Sequence, residues 1–176
     1  MKVIPAALKH TDLLIGEGVV KSEKRLKDTA FFADSAGVDP DLVLYEVYAR
    51  TDQAKEGELN WGLSLLHPVT VNGECCMTRG HWHENTDAAE YYWCVGGTGL
   101  LLLMDEQGHA WAEEMEPGSL HHIPGVLAHR LINTGDEDLK VACCWPTTAG
   151  HDYARVEAMP FPQRAYKTEE GEIEWK

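Results

Sequence analysis

The sequence predicts an all-β chain of the sandwich or barrel type. Short apolar or alternating runs recur at intervals of about 8 to 12 residues, and clusters of Gly, Pro, Asn and Asp separate them. With 176 residues, 44% of them hydrophobic, the chain is long enough for one substantial core, so a single domain spanning residues 1–176 is expected.

Taken in order, residues 1 to 60 mix brief apolar runs, such as Leu13-Leu14-Ile15 and Val19-Val20, with a polar stretch from Ala49 to Asn60. Asp39-Pro40-Asp41 is a turn signal, and the following DLVLYEVYAR is rich in the branched and aromatic residues that suit a pleated surface. From Trp61 to Pro146 eight strand-like segments follow: WGLSLLHPVTV, ECCMTRGHWH, AEYYWCVG, GLLLLMD, HAWAEEM, GSLHHIPG, AHRLIN and LKVACCW. Asn72-Gly73, Gly96-Gly97-Thr98-Gly99, Glu106-Gln107-Gly108, Pro117-Gly118, Pro124-Gly125 and Thr134-Gly135-Asp136 punctuate them. The tail beyond Pro146 is mixed and charged at its end, consistent with either a last strand or a loose end.

Composition narrows the partners. Fifteen Lys and Arg against 29 Asp and Glu give a formal charge of -14, which disfavours nucleic acid and anionic membrane surfaces. The five cysteines, Cys75, Cys76, Cys94, Cys143 and Cys144, form no CxxC spacing and fit buried thiols in a reducing compartment. No apolar signal core or run of about 18 apolar residues is visible, so a cytoplasmic location is expected.

Nine histidines outnumber three phenylalanines, and imidazole is the commonest metal-ligating side chain. His81 and His83 are two apart, so on a strand both rings project from one face while Trp82 faces the other. Glu90 follows beyond the turn-like Asn85-Thr86-Asp87, where a hairpin would bring it beside the pair. His129, after Pro124-Gly125 and at the start of another short strand, is the best fourth candidate. Imidazoles plus one carboxylate, with open positions, suit a catalytic divalent transition metal such as Fe, Mn, Ni or Zn. His121 and His122 are adjacent and point to opposite faces; His10, His67 and His109 have no partner in sequence and read as structural or exposed.

His81-Trp82-His83, Glu90 and Gly97 resemble the first signature motif of the cupin superfamily, and Gly118, Pro124, His129 and Asn133 are spaced as in the second. Cys75 and Val126 stand where those motifs expect glycine, and Glu90 lies further from the HxH pair than usual. That longer spacing, with TRGHWH, AEYY, PGSLHHIPGVLAHRLINTGDE and AGHDY, is similar to the cupin-type phosphoglucose isomerases of archaea and some bacteria. The resemblance implies a double-stranded β-helix (jelly-roll) barrel with N-terminal extension strands and short helices: a barrel core of about 40–155, an N-terminal extension 1–40 and a tail 156–176. It also implies a homodimer with one divalent transition metal per subunit, iron first, that interconverts glucose 6-phosphate and fructose 6-phosphate.

By the same resemblance His81, His83, Glu90 and His129 hold the metal, and Glu90 doubles as the proton-transfer base. A carboxylate facing a dication is a weak base, so proton transfer through a cis-enediol is expected only slightly ahead of a hydride shift. Tyr92 shares the face of Glu90, His151 assists ring opening or proton transfer, and phosphate falls to Tyr45, Ser64, Thr78, Gly80 and Tyr153. Strand alternation points Arg79 and Arg130 away from the cavity. Two other readings compete: a cupin dioxygenase using iron and O₂, and a noncatalytic sugar-binding cupin.

Overall fold

The computed structural model describes residues 1 and 3–176. Its strands are β1 (Leu8–His10), β2 (Leu14–Gly16), β3 (Val20–Arg25), β4 (Val43–Arg50), β5 (Leu59–Leu66), β6 (Thr70–Val71), β7 (Glu74–Cys75), β8 (Glu90–Gly96), β9 (Gly99–Met104), β10 (Ala110–Met115), β11 (Leu120–Ile123), β12 (Ala128–Asn133), β13 (Leu139–Pro146), β14 (Ala165–Lys167) and β15 (Ile173–Trp175); among the described residues one α-helix, α1, covers Tyr153–Ala158 and a short 3-10 helix covers Leu26–Asp28. A six-stranded sheet in the order β11-β8-β13-β5-β4-β3 faces a three-stranded sheet in the order β10-β9-β12, and a four-stranded sheet, β15-β14-β7-β6, flanks them. The N-terminal hairpin β1-β2 is separate. β3, within residues 1–40, is the outermost strand of the six-stranded sheet, paired with β4 from Val20↔Ala49 to Arg25↔Val43.

Alternation sets the barrel interior. In β8, Glu90, Tyr92 and Cys94 are buried while Tyr91 and Trp93 are exposed. Tyr92 and Cys94 meet Tyr45, Val141 and Cys143 of the same sheet and Leu101, Leu103 and Leu131 of the facing one in a single apolar cluster. β9 and β12 do not alternate, because both of their faces are covered. Leu102, Met104, Ala128 and Ile132 turn the other way, onto Trp82, Val156, Phe161 and Ala165. The unbroken apolar run Leu100–Leu103 is thereby explained: a strand buried on both sides has no polar face to show.

Beside the segment from Cys75 to Trp82, the cover comes from residues after Pro146. Asp152 caps α1 by accepting the Arg155 N–H at 2.9 Å, and β14 and β15 form a hairpin, with β14 joined to β7. The end of the chain is thus a packed strand pair rather than a loose end. AGHDY leads into a helix, where a plain loop is the simplest sequence reading.

The segment ECCMTRGHWH is a strand in β7 only; the rest runs beside β12 as an irregular strand. Cys76 and Thr78 pair with Asn133 and Leu131, and farther along His81 and His129 exchange both backbone hydrogen bonds at 3.2 and 3.1 Å. The register slips by one residue between these contacts, at Gly80 (φ +76°). Among the described residues no helix is long and apolar enough to cross a membrane.

Candidate metal centre and substrate cavity

Three loci bring the cluster together. The His81 to His83 segment puts Trp82, fully buried, into the outer apolar cluster and turns both imidazoles into the barrel. Its backbone is tied on one side to His129 and on the other to Asp152, through Asp152 N–H to the Trp82 carbonyl at 2.8 Å. Glu90 opens β8 after a turn in which the Asn85 side chain accepts the Asp87 N–H at 3.1 Å. Gly125 is required opposite that turn, since a Cβ there would lie 2.5 Å from the Ala88 carbonyl oxygen. His129 stands second in β12, a strand buried along its whole length.

Ligand-capable atoms of His81, His83, Glu90 and His129 all lie within 4.8 Å of one another. Two backbone carbonyls set the ring orientations: Nδ1–H of His83 donates to Ala88 at 2.5 Å, and Nδ1–H of His129 donates to Leu127 at 3.3 Å. Each leaves its Nε2 lone pair directed inward, the arrangement usual for metal-bound imidazoles. Glu90 Oε1 is 2.7 Å from His129 Nε2 and 3.8 Å from His83 Nε2. The closer contact is not aligned as a hydrogen bond, so Glu90 Oε1, His129 Nε2 and His81 Nε2 are buried without partners. Orphaned acceptors converging on one point fit a divalent cation.

Protonation agrees with that fit. Burial and the neighbouring His129 and His151 hold His81 well below the usual imidazole range. Burial opposes ionisation of Glu90, yet His129 and His83 outweigh it and hold the carboxyl well below the usual carboxylate range. For His83 burial pulls downward, and contact with Glu90 more than compensates, raising it. A metal ion would replace that proton, since the ligating form of imidazole is neutral.

Above the cluster opens a cavity of about 400 Å³. Its wall brings together His81, Glu90 and His129 with Tyr45, Ser64, Thr78, Gly80, Tyr92, His151 and Tyr153; His83 sits behind the wall. Burial raises Tyr45 to about 12 and pushes Tyr92 and Tyr153 upward, so all three phenols remain hydrogen-bond donors near neutrality. Thr78 Oγ1 accepts the Leu131 N–H at 3.0 Å, leaving its own proton free to donate. His151 lies 4.4 Å, centroid to centroid, from His81 and stacks parallel to Tyr153 at 5.7 Å, with an interplanar angle of 8°. Desolvation lowers its affinity for a proton, so the ring is neutral and able to accept one.

Sequence reasoning missed several wall residues. Lys24 and Ser22 arrive on β3, whose pairing with β4 puts Lys24 opposite Tyr45. Trp145 and Cys143 follow Val141 at two-residue steps along β13, a visible alternation that marked one face. Arg130 does point away, buried against Phe161 at 4.6 Å. Arg79 does not behave as strand alternation expects. The bulge at Gly80 breaks the alternation, and its guanidinium lies 4.3 Å over the Tyr153 ring at the cavity edge, ion-paired with Glu157.

The other five histidines have structural partners. His121 is buried between Glu113 at 2.6 Å and Ser119 at 2.9 Å, His67 meets Asp138 and His109 meets Asp105, each at 3.0 Å. His122 packs on Tyr91 and His10 on Trp61.

A family model described as Glucose-6-phosphate isomerase (GPI) matches residues 18–176. Glucose-6-phosphate isomerase of Thermococcus litoralis is 40% identical over 151 residues, covering 82% of this chain and 80% of that protein. The Pyrococcus furiosus enzyme of the same name is 37% identical over 163 residues, covering 89% and 86%. That of Sinorhizobium medicae is 31% identical over 161 residues, covering 88% and 75%.

Proposed function

The chain belongs to the cupin-type glucose-6-phosphate isomerase family, and from that premise we propose that it interconverts glucose 6-phosphate and fructose 6-phosphate in the cavity above His81, His83, Glu90 and His129. The observation that carries the reading is the convergence of those four side chains, three of which bring unpartnered buried atoms to the floor of a cavity lined by hydroxyl donors.

His81, His83, Glu90 and His129 would hold one divalent transition metal per subunit, with iron the first candidate. When bound, such a metal supplies positive charge that polarises a carbonyl and stabilises negative charge growing on oxygen. The rest falls to the chain's own groups. Tyr45, Ser64, Thr78 and Tyr153 donate hydroxyl hydrogen bonds to phosphate, Gly80 contributes its backbone N–H, and Lys24 offsets charge at the rim. Neutral His151, beside Tyr153, takes the proton from the anomeric hydroxyl and delivers it to the ring oxygen as the bond between the anomeric carbon and that oxygen breaks, and the same transfer runs in reverse on closure. Tyr92 orients the open chain from next to Glu90.

Glu90 is the one carboxylate among the described residues of the cavity wall and the candidate proton carrier. Its depressed proton affinity makes it a weak base, so the carbon acid must be made more acidic by its surroundings for the transfer to proceed. Five free thiols support a reducing cytoplasm. Tyr91, Trp93 and Leu120, exposed together on the outer face of the six-stranded sheet, support a homodimer, which light scattering would measure.

The test is conversion of fructose 6-phosphate under anaerobic conditions, before and after chelation, with single divalent metals restored. Turnover that is lost on chelation and returns with metal, without O₂, is expected. Failure with every metal would sink the isomerase reading, and a strict need for O₂ would favour oxygenase chemistry.

A further inference from the structure

Gly80 separates two cavities. One of its sides faces the substrate cavity; on the other, a Cβ would lie 3.1 Å from Arg130 and 3.0 Å from Phe161, which line a second cavity of about 580 Å³. Its walls carry Lys24, Lys27, Arg79, Arg130 and Arg164, five of the chain's 15 Lys and Arg, against the two carboxylates of Asp28 and Glu157. Gathering a third of the basic residues here is costly in Coulomb terms unless negative charge offsets it.

Three of the five have acidic partners: Lys27 with Asp41 at 2.5 Å, Arg164 with Glu74 at 2.6 Å, and Arg79 with Glu157. Arg130 does not. It is 7% exposed and, among the described residues, has no carboxylate within ion-pairing distance. Its Nη2 donates to the Arg79 carbonyl at 2.5 Å and Nη1 to the Met77 sulfur at 3.1 Å, while Nε is buried with no partner. The faces of Phe161 and Phe31, at 4.6 and 5.9 Å, supply only part of the missing compensation. A buried, uncompensated guanidinium flanked by further cations suits a multivalent oxyanion, which can accept from several forks at once.

We propose that this second cavity is an anion site that takes a phosphate-type oxyanion against Arg130, Lys24 and Lys27. It shares Lys24 and Arg79 with the rim of the substrate cavity, but Arg130 and Lys27 line this cavity only, and it does not depend on the isomerase assignment. The oxyanion is either free phosphate or the head of a phosphorylated metabolite.

Calorimetric titration of inorganic phosphate into the full chain tests it, with equilibrated sugar phosphate saturating the substrate cavity. One phosphate per chain is expected to bind in addition to the sugar. Lys27→Glu should weaken that event about fivefold or more and leave turnover unchanged, because Lys27 lines only the second cavity. Arg130→Met should abolish it; if that variant does not fold, the exposed Lys27 variant decides. Displacement of phosphate by adenosine monophosphate identifies a phosphorylated metabolite as the occupant, and phosphate binding without such displacement identifies the free ion. No phosphate binding beside saturating sugar, or binding indifferent to Lys27→Glu, overturns the proposal and leaves the isomerase reading untouched.

Discussion

Gly80 serves the site through its backbone rather than through a side chain. At φ +76° with Arg130 and Phe161 against it, it permits the slip that takes the chain from its pairing with Leu131 to that with His129. Gly80→Ala should cost about 1–3 kcal/mol of stability and reduce turnover further by shifting His81; chemical denaturation and kinetics on one preparation measure both. Asn133 acts differently. Buried, it donates to the Leu66 and Glu137 carbonyls at 2.8 and 2.9 Å and accepts the Gly135 N–H at 2.9 Å, tying the two facing sheets together. Asn133→Ala should destabilise by about 2–4 kcal/mol while leaving the affinity for sugar phosphate within twofold. Arg130→Ala likewise should act on stability more than on catalysis, and a large loss of sugar phosphate affinity would contradict its outward orientation. His81, His83, Glu90 and His129 were legible because period-two spacing and turn residues are local properties of the chain. Lys24 was not, because its place depends on a pairing between β3 and β4 that no local signal announces.

At the scale of elements, the strand segments of the barrel followed from alternation and turn chemistry, and most lie where the sequence puts them. The exceptions share a cause. The segment from Cys76 to His83 has a strand's composition but a bulged path, and regularity is a property of its partners, not of its residues. β9 and β12 read as short strands; that both faces are buried requires the tail, whose short mixed pattern says little until Phe161 and Ala165 are seen against them. Trp82 joins these elements: it is fully buried, sits between His81 and His83, and has the Arg155 guanidinium 3.9 Å from its ring. Trp82→Ala should cost about 3–5 kcal/mol and weaken metal binding, since α1 and the His81–His83 segment lose their common packing. A variant with near-native melting temperature and metal affinity would show that the outer cluster does not support the site.

For the whole molecule, the net charge of -14 opposes approach of an anionic substrate, so cations at Lys24 and Arg79 beside the hydroxyl donors matter more than their number suggests. The resemblance at the sequence level covered phosphate groups but not these cations. Stability should also carry a signature of the buried thiols and phenols. Burial raises Cys75 from its ordinary value to about 11 and Tyr45 to about 12, so the folded chain keeps protons that the unfolded chain releases above about pH 9. The unfolded state therefore binds fewer protons in that range, and stability falls as pH rises from about 9 to 12. A melting temperature that declines over this window, with a shallower decline in Cys75→Ala, is the expected result. A flat profile would indicate that these groups are not held protonated.

Everything proposed for catalysis rests on four side chains from three separated loci forming one metal site. The most direct measurement is the divalent metal content per chain after chelation and reloading with a single metal, compared between the unmodified protein and a folded His81→Ala, His83→Ala double variant. The structure predicts about one metal per chain for the former and close to none for the latter. A full equivalent retained by the double variant would contradict the site.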